Sequence, residues 1–191
     1  MHYSGPFFMR HGETNWNQKD KLQGQKDIPL NDNGRRQAEE ATKIITTLGI
    51  ERIIASNLSR AKETADIIAE RLNLTVEYEP LLREWNFGAM NIAKQKDLRP
   101  ETFKAQLAQN LKSGAESIDG VFTRVATFFD KFDMNPNTLI VSHGGLMRAM
   151  MYYLETGGKT NVDEFINFGF HQRISNAQIF AFQNKKFELV R

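Results

Sequence analysis

Two short segments end in a histidine followed by glycine: Arg10-His11-Gly12-Glu13 near the start of the chain and Ser142-His143-Gly144-Gly145 near its end. Each follows an apolar run and so falls at the C-terminal end of a strand, where open α/β sheets place their ligands. Successive strand residues point to opposite faces, so Arg10 and His11 reach one pocket only if the strand breaks there, which Gly12 permits. A third segment, Ser59-Arg60-Ala61, opens a helix after the apolar run Ile53 to Ala55 and brings a second guanidinium to the same edge. Taken singly these residues have plainer roles: a hydrogen-bonded structural histidine, a surface ion pair at Arg60, a polar turn at Asn17. Together, two arginines, two histidines and the Asn17 amide make a cationic, donor-rich pocket whose planar forks match the oxygens of a phosphoryl group.

The elements that must position these residues are legible in the hydrophobic pattern. Ile53-Ile54-Ala55 and Leu139-Ile140-Val141 are continuously apolar, as expected of strands covered on both faces at the centre of a parallel sheet. Helical spacing follows in four sets: Ala38, Ala41, Ile45 and Leu48; Ala61, Ala65, Ile68 and Leu72; Val121, Val125, Phe128 and Phe132; Leu146, Met150 and Tyr153. Asn31 reads as the N-cap of the first helix and Gly49 as its C-terminal stop, and the second helix begins just after Ser56-Asn57. Pro6 restricts the first strand to about Phe7 to Met9. The repeated β-α order predicts a three-layer α/β/α sandwich with a mostly parallel central sheet. Residues 89–117, rich in Lys, Gln, Asn and Ala, read as a small helical insertion with one helix around Thr102 to Leu111. Two terminal strands, about 177–182 and 187–190, read as a hairpin joined by Gln183-Asn184-Lys185-Lys186.

Length and composition bound the remaining possibilities. A chain of 191 residues is the size of one domain, taken here as 1–191. With 40% hydrophobic and 25% charged residues it is neither disordered nor fibrous. A net charge of +2 is too slight to imply a nucleic-acid or membrane surface, so anion binding must be local. The absence of cysteine excludes disulfide scaffolds, thiolate zinc sites and cysteine nucleophiles, and it fits a reducing compartment, so the cytoplasm is the expected location. No window is apolar enough for a transmembrane helix, and MHYSGPFFMRHG lacks the layout of a secretory signal.

Arg10-His11-Gly12-Glu13-Thr14-Asn15-Trp16-Asn17, followed by Gln23-Gly24-Gln25-Lys26-Asp27-Ile28-Pro29-Leu30, Gly34 and Gln37-Ala38, resembles the opening of the histidine phosphatase superfamily, in its phosphoglycerate mutase-like branch. Ser56-Asn57-Leu58-Ser59-Arg60-Ala61 with Thr64-Ala65 is similar to the family's second arginine motif. Leu82-Arg83-Glu84-Trp85-Asn86-Phe87-Gly88 resembles its acid-bearing motif, Glu116-Ser117 its motif before a helix, and Ser142-His143-Gly144-Gly145 its second histidine. The resemblance spans nearly the whole chain, with the motifs in the family's order. It implies that His11 is the nucleophile that takes the phosphoryl group, that Arg10, Arg60 and His143 hold that group's oxygens, and that Glu84 is the proton donor. Asn17, Gln23, Gly24 and Gly144 complete the implied substrate-binding set. Trp85 and Phe87 are apolar neighbours that would favour the neutral, proton-donating form of Glu84. Where many relatives carry Trp-Glu-Gly after Phe87-Gly88, this chain has Ala89-Met90-Asn91, a departure that bears on pocket shape and substrate.

The resulting expectation is a metal-independent phosphomonoesterase, without cofactor, acting on a small phosphorylated metabolite through phosphohistidine. Two other functions belong to the same resemblance: a phosphoglycerate mutase-type transferase, and a non-catalytic phosphoester-binding module. A mutase must keep its phosphoenzyme from water under a large closing insertion, whereas only 58 residues separate Glu84 from His143. His11, His143 and Glu84 also match a two-histidine, one-carboxylate metal site, but Arg10 and Arg60 beside a divalent ion would oppose it. Lys94, Lys96, Arg99, Lys104 and Lys112 hint at a substrate with further negative charge, although such a run more often forms a solvated face.

Overall fold

The computed structural model describes residue 3, residues 5–89 and residues 99–191. Six strands, β1 (Phe7–Arg10), β2 (Arg52–Ala55), β3 (Val76–Tyr78), β4 (Thr138–Ser142), β5 (Ile179–Gln183) and β6 (Lys186–Leu189), form one sheet in the order β3-β2-β4-β1-β5-β6. The first four run parallel, β5 runs antiparallel to β1, and β6 antiparallel to β5. The helices are α1 (Asn15–Gln18), α2 (Asp32–Ile45), α3 (Ser59–Leu72), α4 (Pro100–Asn110), α5 (Ile118–Lys131), α6 (Gly144–Glu155) and α7 (Val162–His171).

Strand side chains alternate between two apolar layers, which is why β1, β2 and β4 read as unbroken apolar runs. Phe8, Ile54 and Ile140 pack into a cluster with Val125 and Phe128 of α5, Met150 of α6 and Phe165 of α7. Phe7, Met9, Ile53, Ala55, Leu139 and Val141 face the opposite way, onto Ala41 and Ile45 of α2 and Ala61, Ala65 and Ile68 of α3. The expected three-layer sandwich is therefore present.

Asn31 caps α2 as expected, its side chain accepting from Gly34 N–H. Helix α2 ends at Ile45, so Leu48 lies in the turn beyond it, and Gly49 adopts φ +67° there. The hairpin turn is shorter than expected: Asn184 and Lys185 alone connect β5 to β6, at φ 52° and 61°, the left-handed pair that matches strand twist. Strand β3 and helices α1 and α7 are additions to the sequence reading. Strand β3 has three half-buried or exposed residues and so no apolar run to betray it. Helix α7 carried a legible signal, an Asn161 cap followed by Asp163 and Glu164. In the insertion α4 lies one or two residues earlier than Thr102 to Leu111. Met90, Asn91, Lys94 and Lys96 lie outside the described residues.

Two features of this frame set the site. The β1–β4 register pairs Arg10 with Ser142, so His11 and His143 leave adjacent strands at the same level. Beyond β1, the backbone of Gly12 and Glu13 presses on the first turn of α2: a Cβ on Gly12 would collide with Gly34 O, and one on Gly34 with Glu13 O. Both obstacles are backbone atoms, which cannot rotate aside. Gly34→Ala should lower stability by about 1–3 kcal/mol in urea denaturation, with reduced phosphoryl-transfer activity because the strain falls on the loop carrying His11.

Candidate active site

His11 is 2% exposed, and its Nδ1 lies 2.6 Å from Gly12 O. A carbonyl can only accept, so Nδ1 carries the proton and Nε2 keeps its lone pair. Arg60 Nε–H donates to that Nε2 at 3.2 Å. Burial, then the charges of Arg60 and Arg10, push the His11 pKa well below its ordinary value of 6.5. The imidazole is therefore neutral, with a lone pair available for attack at neutral pH. The loop carrying it is tied down from several sides. Gly12 N–H donates to Thr64 Oγ1 at 3.0 Å, and Asn176 Nδ2 donates to His11 O and Gly12 O at 3.0 and 3.2 Å.

Arg60 is 0% exposed and directs its other donors to backbone: Lys26 O at 2.8 Å and Gly24 O at 2.7 Å. Arg10 donates from Nη1 to Ile174 O at 2.6 Å, while its buried Nε has no partner. Burial is the largest influence pushing both guanidinium pKa values down to about 10, with the Arg148 charge adding to the effect at Arg10. Both remain cationic at neutral pH.

His143 caps the backbone start of α6 and is 0% exposed, its ring centroid 5.2 Å from that of His11. Its Nε2 lies 2.8 Å from Ser56 Oγ, and its Nδ1 is buried with no partner. Burial first, then Arg60 and His11, push its pKa well below 6.5. The unpartnered Nε–H of Arg10 leaves donor capacity that an anion would satisfy.

Glu84 is seated on the N-terminus of α6. Its Oε1 accepts from Trp85 N–H and Leu146 N–H, both at 2.8 Å, and its Oε2 from Gly145 N–H at 3.0 Å. The seat requires glycine at 145, where a Cβ would stand 2.6 Å from Glu84 Oε1. Glu84 is thus held in place by three backbone N–H groups. Arg124 braces the loop from outside, donating to Leu81 O and Arg83 O and forming a 2.8 Å ion pair with Glu116, whose carbonyl accepts from Trp85 Nε1.

These groups meet at a cavity of about 480 Å³ lined by Arg10, His11, Asn17, Gln23, Arg60, Glu84 and Gly144, all named from the sequence. Two other expected residues stand behind it. Gly24 contributes a carbonyl to Arg60 rather than a surface to the cavity, and His143 lies beneath the wall against His11 and Ser56. Asn17 Oδ1 already accepts from Thr14 N–H and Asn176 Nδ2, which leaves its Nδ2 for donation. Sequence reading missed Arg148, whose guanidinium lines the cavity while bonding Gln172 O and Gly144 O. Its position four residues after Gly144, one turn along α6, was the available signal. Asn176 and the Ile174 carbonyl carried none, since they reach the site from more than 160 residues away.

The buried histidines make stability pH-dependent. The folded pKa values lie below the unfolded value near 6.5, so beneath about pH 6.5 the unfolded chain binds more protons than the folded one. Stability is full above that pH and is lost as the pH falls, by up to about 1.4 kcal/mol per pH unit for each histidine. Urea denaturation between pH 7.5 and 5.5 should show this decline, and His11→Asn and His143→Asn should each show a shallower one.

A family model described as the histidine phosphatase superfamily (branch 1) matches residues 7–191. The chain is 35% identical over 147 residues to a probable phosphoglycerate mutase, GpmB, of Erwinia tasmaniensis, covering 72% of this chain and 68% of that one. It is 34% identical over 160 residues to phosphoglycerate mutase-like protein 4 of Arabidopsis thaliana, covering 78% and 70%. Its fold matches a solved Thermus thermophilus protein with a TM-score of 0.70 at 26% identity, over 97% of this chain and 98% of that one. It also matches a mycobacterial glucosyl-3-phosphoglycerate phosphatase with a TM-score of 0.73 at 24% identity, over 96% and 95%, a likeness of fold alone. With the two His-Gly loops side by side at the strand ends and the family match running from β1 to the last residue, the chain belongs to branch 1 of the histidine phosphatase superfamily.

Proposed function

We propose that this protein is a phosphomonoesterase that works through phosphohistidine at His11, without a metal ion, on a small phosphorylated metabolite. The observation that carries this reading is the unprotonated Nε2 of His11, fixed by the Nδ1–H bond to Gly12 O, accepting from Arg60 Nε–H and set beside the guanidinium of Arg10. In the first step Nε2 attacks phosphorus, the bond to the alcohol oxygen breaks, and Glu84 supplies that oxygen's proton. As the lone pair turns to phosphorus, Arg60 Nε–H is released to donate to a phosphoryl oxygen, where charge accumulates in the transition state. In the second step water attacks phosphorus, its proton passes to Glu84, and the P–N bond breaks to release inorganic phosphate.

Metal independence rests on the donor set. Cationic Arg10 and Arg60 flank the imidazoles, and among the described residues no three His, Cys, Asp or Glu side chains are grouped to hold an ion. The relatives named as phosphoglycerate mutases favour a second reading, in which the phosphoryl group returns to a glycerate. Hydrolysis is preferred because only 58 residues separate Glu84 from His143, and they include α5 and β4 of the core.

Quenching the enzyme during turnover of a labelled phosphoester should trap label that is lost in acid, kept in alkali and absent in His11→Ala. Label that survives acid or persists in His11→Ala removes the nucleophile assignment, and no label with any ester favours a binding module. Phosphorus NMR of 3-phosphoglycerate with the enzyme should show inorganic phosphate rather than the 2-isomer, and exhaustive chelation should leave the rate unchanged.

Glu84→Gln should slow the burst with an alkyl phosphate about a hundredfold to ten-thousandfold, yet spare much of the burst with p-nitrophenyl phosphate, whose phenolate departs without a proton. Equal losses on the two substrates would remove Glu84 as the acid. The amide also turns one donor toward the three N–H groups of the seat, so the variant's melting temperature should fall as well.

A further inference from the structure

The cavity is far larger than the phosphoryl group that Arg10, His11 and Arg60 are placed to hold. At about 480 Å³ it lies within the range, roughly 300–1,000 Å³, of pockets that enclose drug-sized ligands. Five rings border the remainder: Trp85, Phe87, Phe103 and Phe165, each 3–8% exposed, and the more open Phe170. They form one connected cluster, with Trp85 5.5 Å from Phe87, 5.5 Å from Phe103 and 6.0 Å from Phe165, and Phe103 5.8 Å from Phe170. Phe170 is 37% exposed, so the cluster is not finished by the protein alone. Trp85 cannot swing aside, because its Nε1 is bonded to Glu116 O at 2.8 Å.

The wall begins where the leaving group must sit. Trp85 and Phe87 follow Glu84 directly, so an alcohol oxygen within reach of the Glu84 carboxyl has its carbon body beside these rings. Cations also border the cavity: Arg148, whose Nε and Nη1 are bonded to two carbonyls, the Lys21 ammonium, 5.6 Å from the Trp16 ring centroid, and exposed Arg99 and Arg173. A small hydroxy-acid would leave Phe170, the exposed end of this wall, uncovered.

Building on the phosphoesterase reading, we infer that the alcohol half of the substrate is a ring-bearing or comparably bulky apolar group, seated on the wall that runs from Trp85 to Phe170. Burying one phenyl ring there should tighten binding roughly tenfold to a hundredfold.

The test compares 3-phenylpropyl phosphate with n-propyl phosphate, two alkyl esters of similar leaving ability, and with 3-phosphoglycerate. On wild-type enzyme, kcat/KM should favour the phenylpropyl ester at least tenfold over both. Phe170→Ala, at a partly exposed position that tolerates truncation, and the conservative Phe103→Leu should each reduce that ratio about threefold to tenfold. Leu111→Ala, exposed and outside the cavity, should leave it unchanged. Calorimetry on His11→Ala reads the same preference as affinity, independent of turnover. Absence of turnover with every ester would defeat the phosphoesterase reading while calorimetry still judged the wall. Equal or weaker binding of the phenylpropyl ester, a preference for 3-phosphoglycerate, or a ratio unmoved by both ring variants would overturn the inference.

Discussion

Burial of the Arg60 guanidinium is the constraint on which the rest of the site depends. A cation taken wholly out of water must find acceptors, and none of its hydrogen-bond partners is a carboxylate: they are the carbonyls of Gly24 and Lys26 and the lone pair of His11. Glu84 and Asp27 offset its charge only from a distance. The carbonyl contacts fix the segment around Gly24, whose φ of +53° turns its backbone toward the guanidinium. The contact to His11 requires a neutral imidazole, and the two cationic neighbours together with burial ensure that state. One buried charge therefore orients the His11 imidazole, helps hold it unprotonated and leaves a positive field without a contacting counter-ion. A dianionic phosphoryl group supplies what is missing.

The sheet and two helix N-termini make that arrangement possible. Parallel pairing of β1 with β4 in the Arg10–Ser142 register brings the two His-Gly loops together with no side chain having to reach far. Helix α3 delivers Arg60 from its first turn, and α6 receives the Glu84 carboxylate on the N–H groups of Gly145 and Leu146, which a helix leaves unsatisfied in any case. Glycines mark the places where these pieces touch most closely. Gly12 meets Gly34 backbone to backbone, and Gly145 leaves room for the carboxylate of Glu84.

The loop that carries Glu84 also carries the first ring of the aromatic wall. Arg124 and Glu116 clamp residues 81–86 through carbonyls and an ion pair whose partners are largely shielded from water. That clamp sets the position of Glu84 and, through Trp85 Nε1, the orientation of the first ring of the aromatic wall. Glu84 and the first ring of the aromatic wall are thus parts of one braced segment, so a change in one is transmitted to the other.

The sequence by itself determined the layers and the chemistry. Apolar runs too continuous for a one-sided sheet required burial on both faces, helical spacing named the packing faces of α2, α3, α5 and α6, and two His-Gly loops with two arginines at strand ends pointed to phosphate. These features are local, set by side-chain periodicity and backbone preference within a few residues. Tertiary structure decided what depends on groups brought together from distant segments. It placed His143 behind the cavity instead of on it and turned Gly24 into a carbonyl ligand of Arg60. It also seated Glu84 on three N–H groups and recruited Asn176 and Ile174 from the far end of the chain. Main-chain carbonyls and N–H groups do most of this work, and every residue has them, so no residue type announces the role. Strand β3 escaped notice for a related reason: its place is fixed by hydrogen bonds to β2 and not by an apolar pattern of its own.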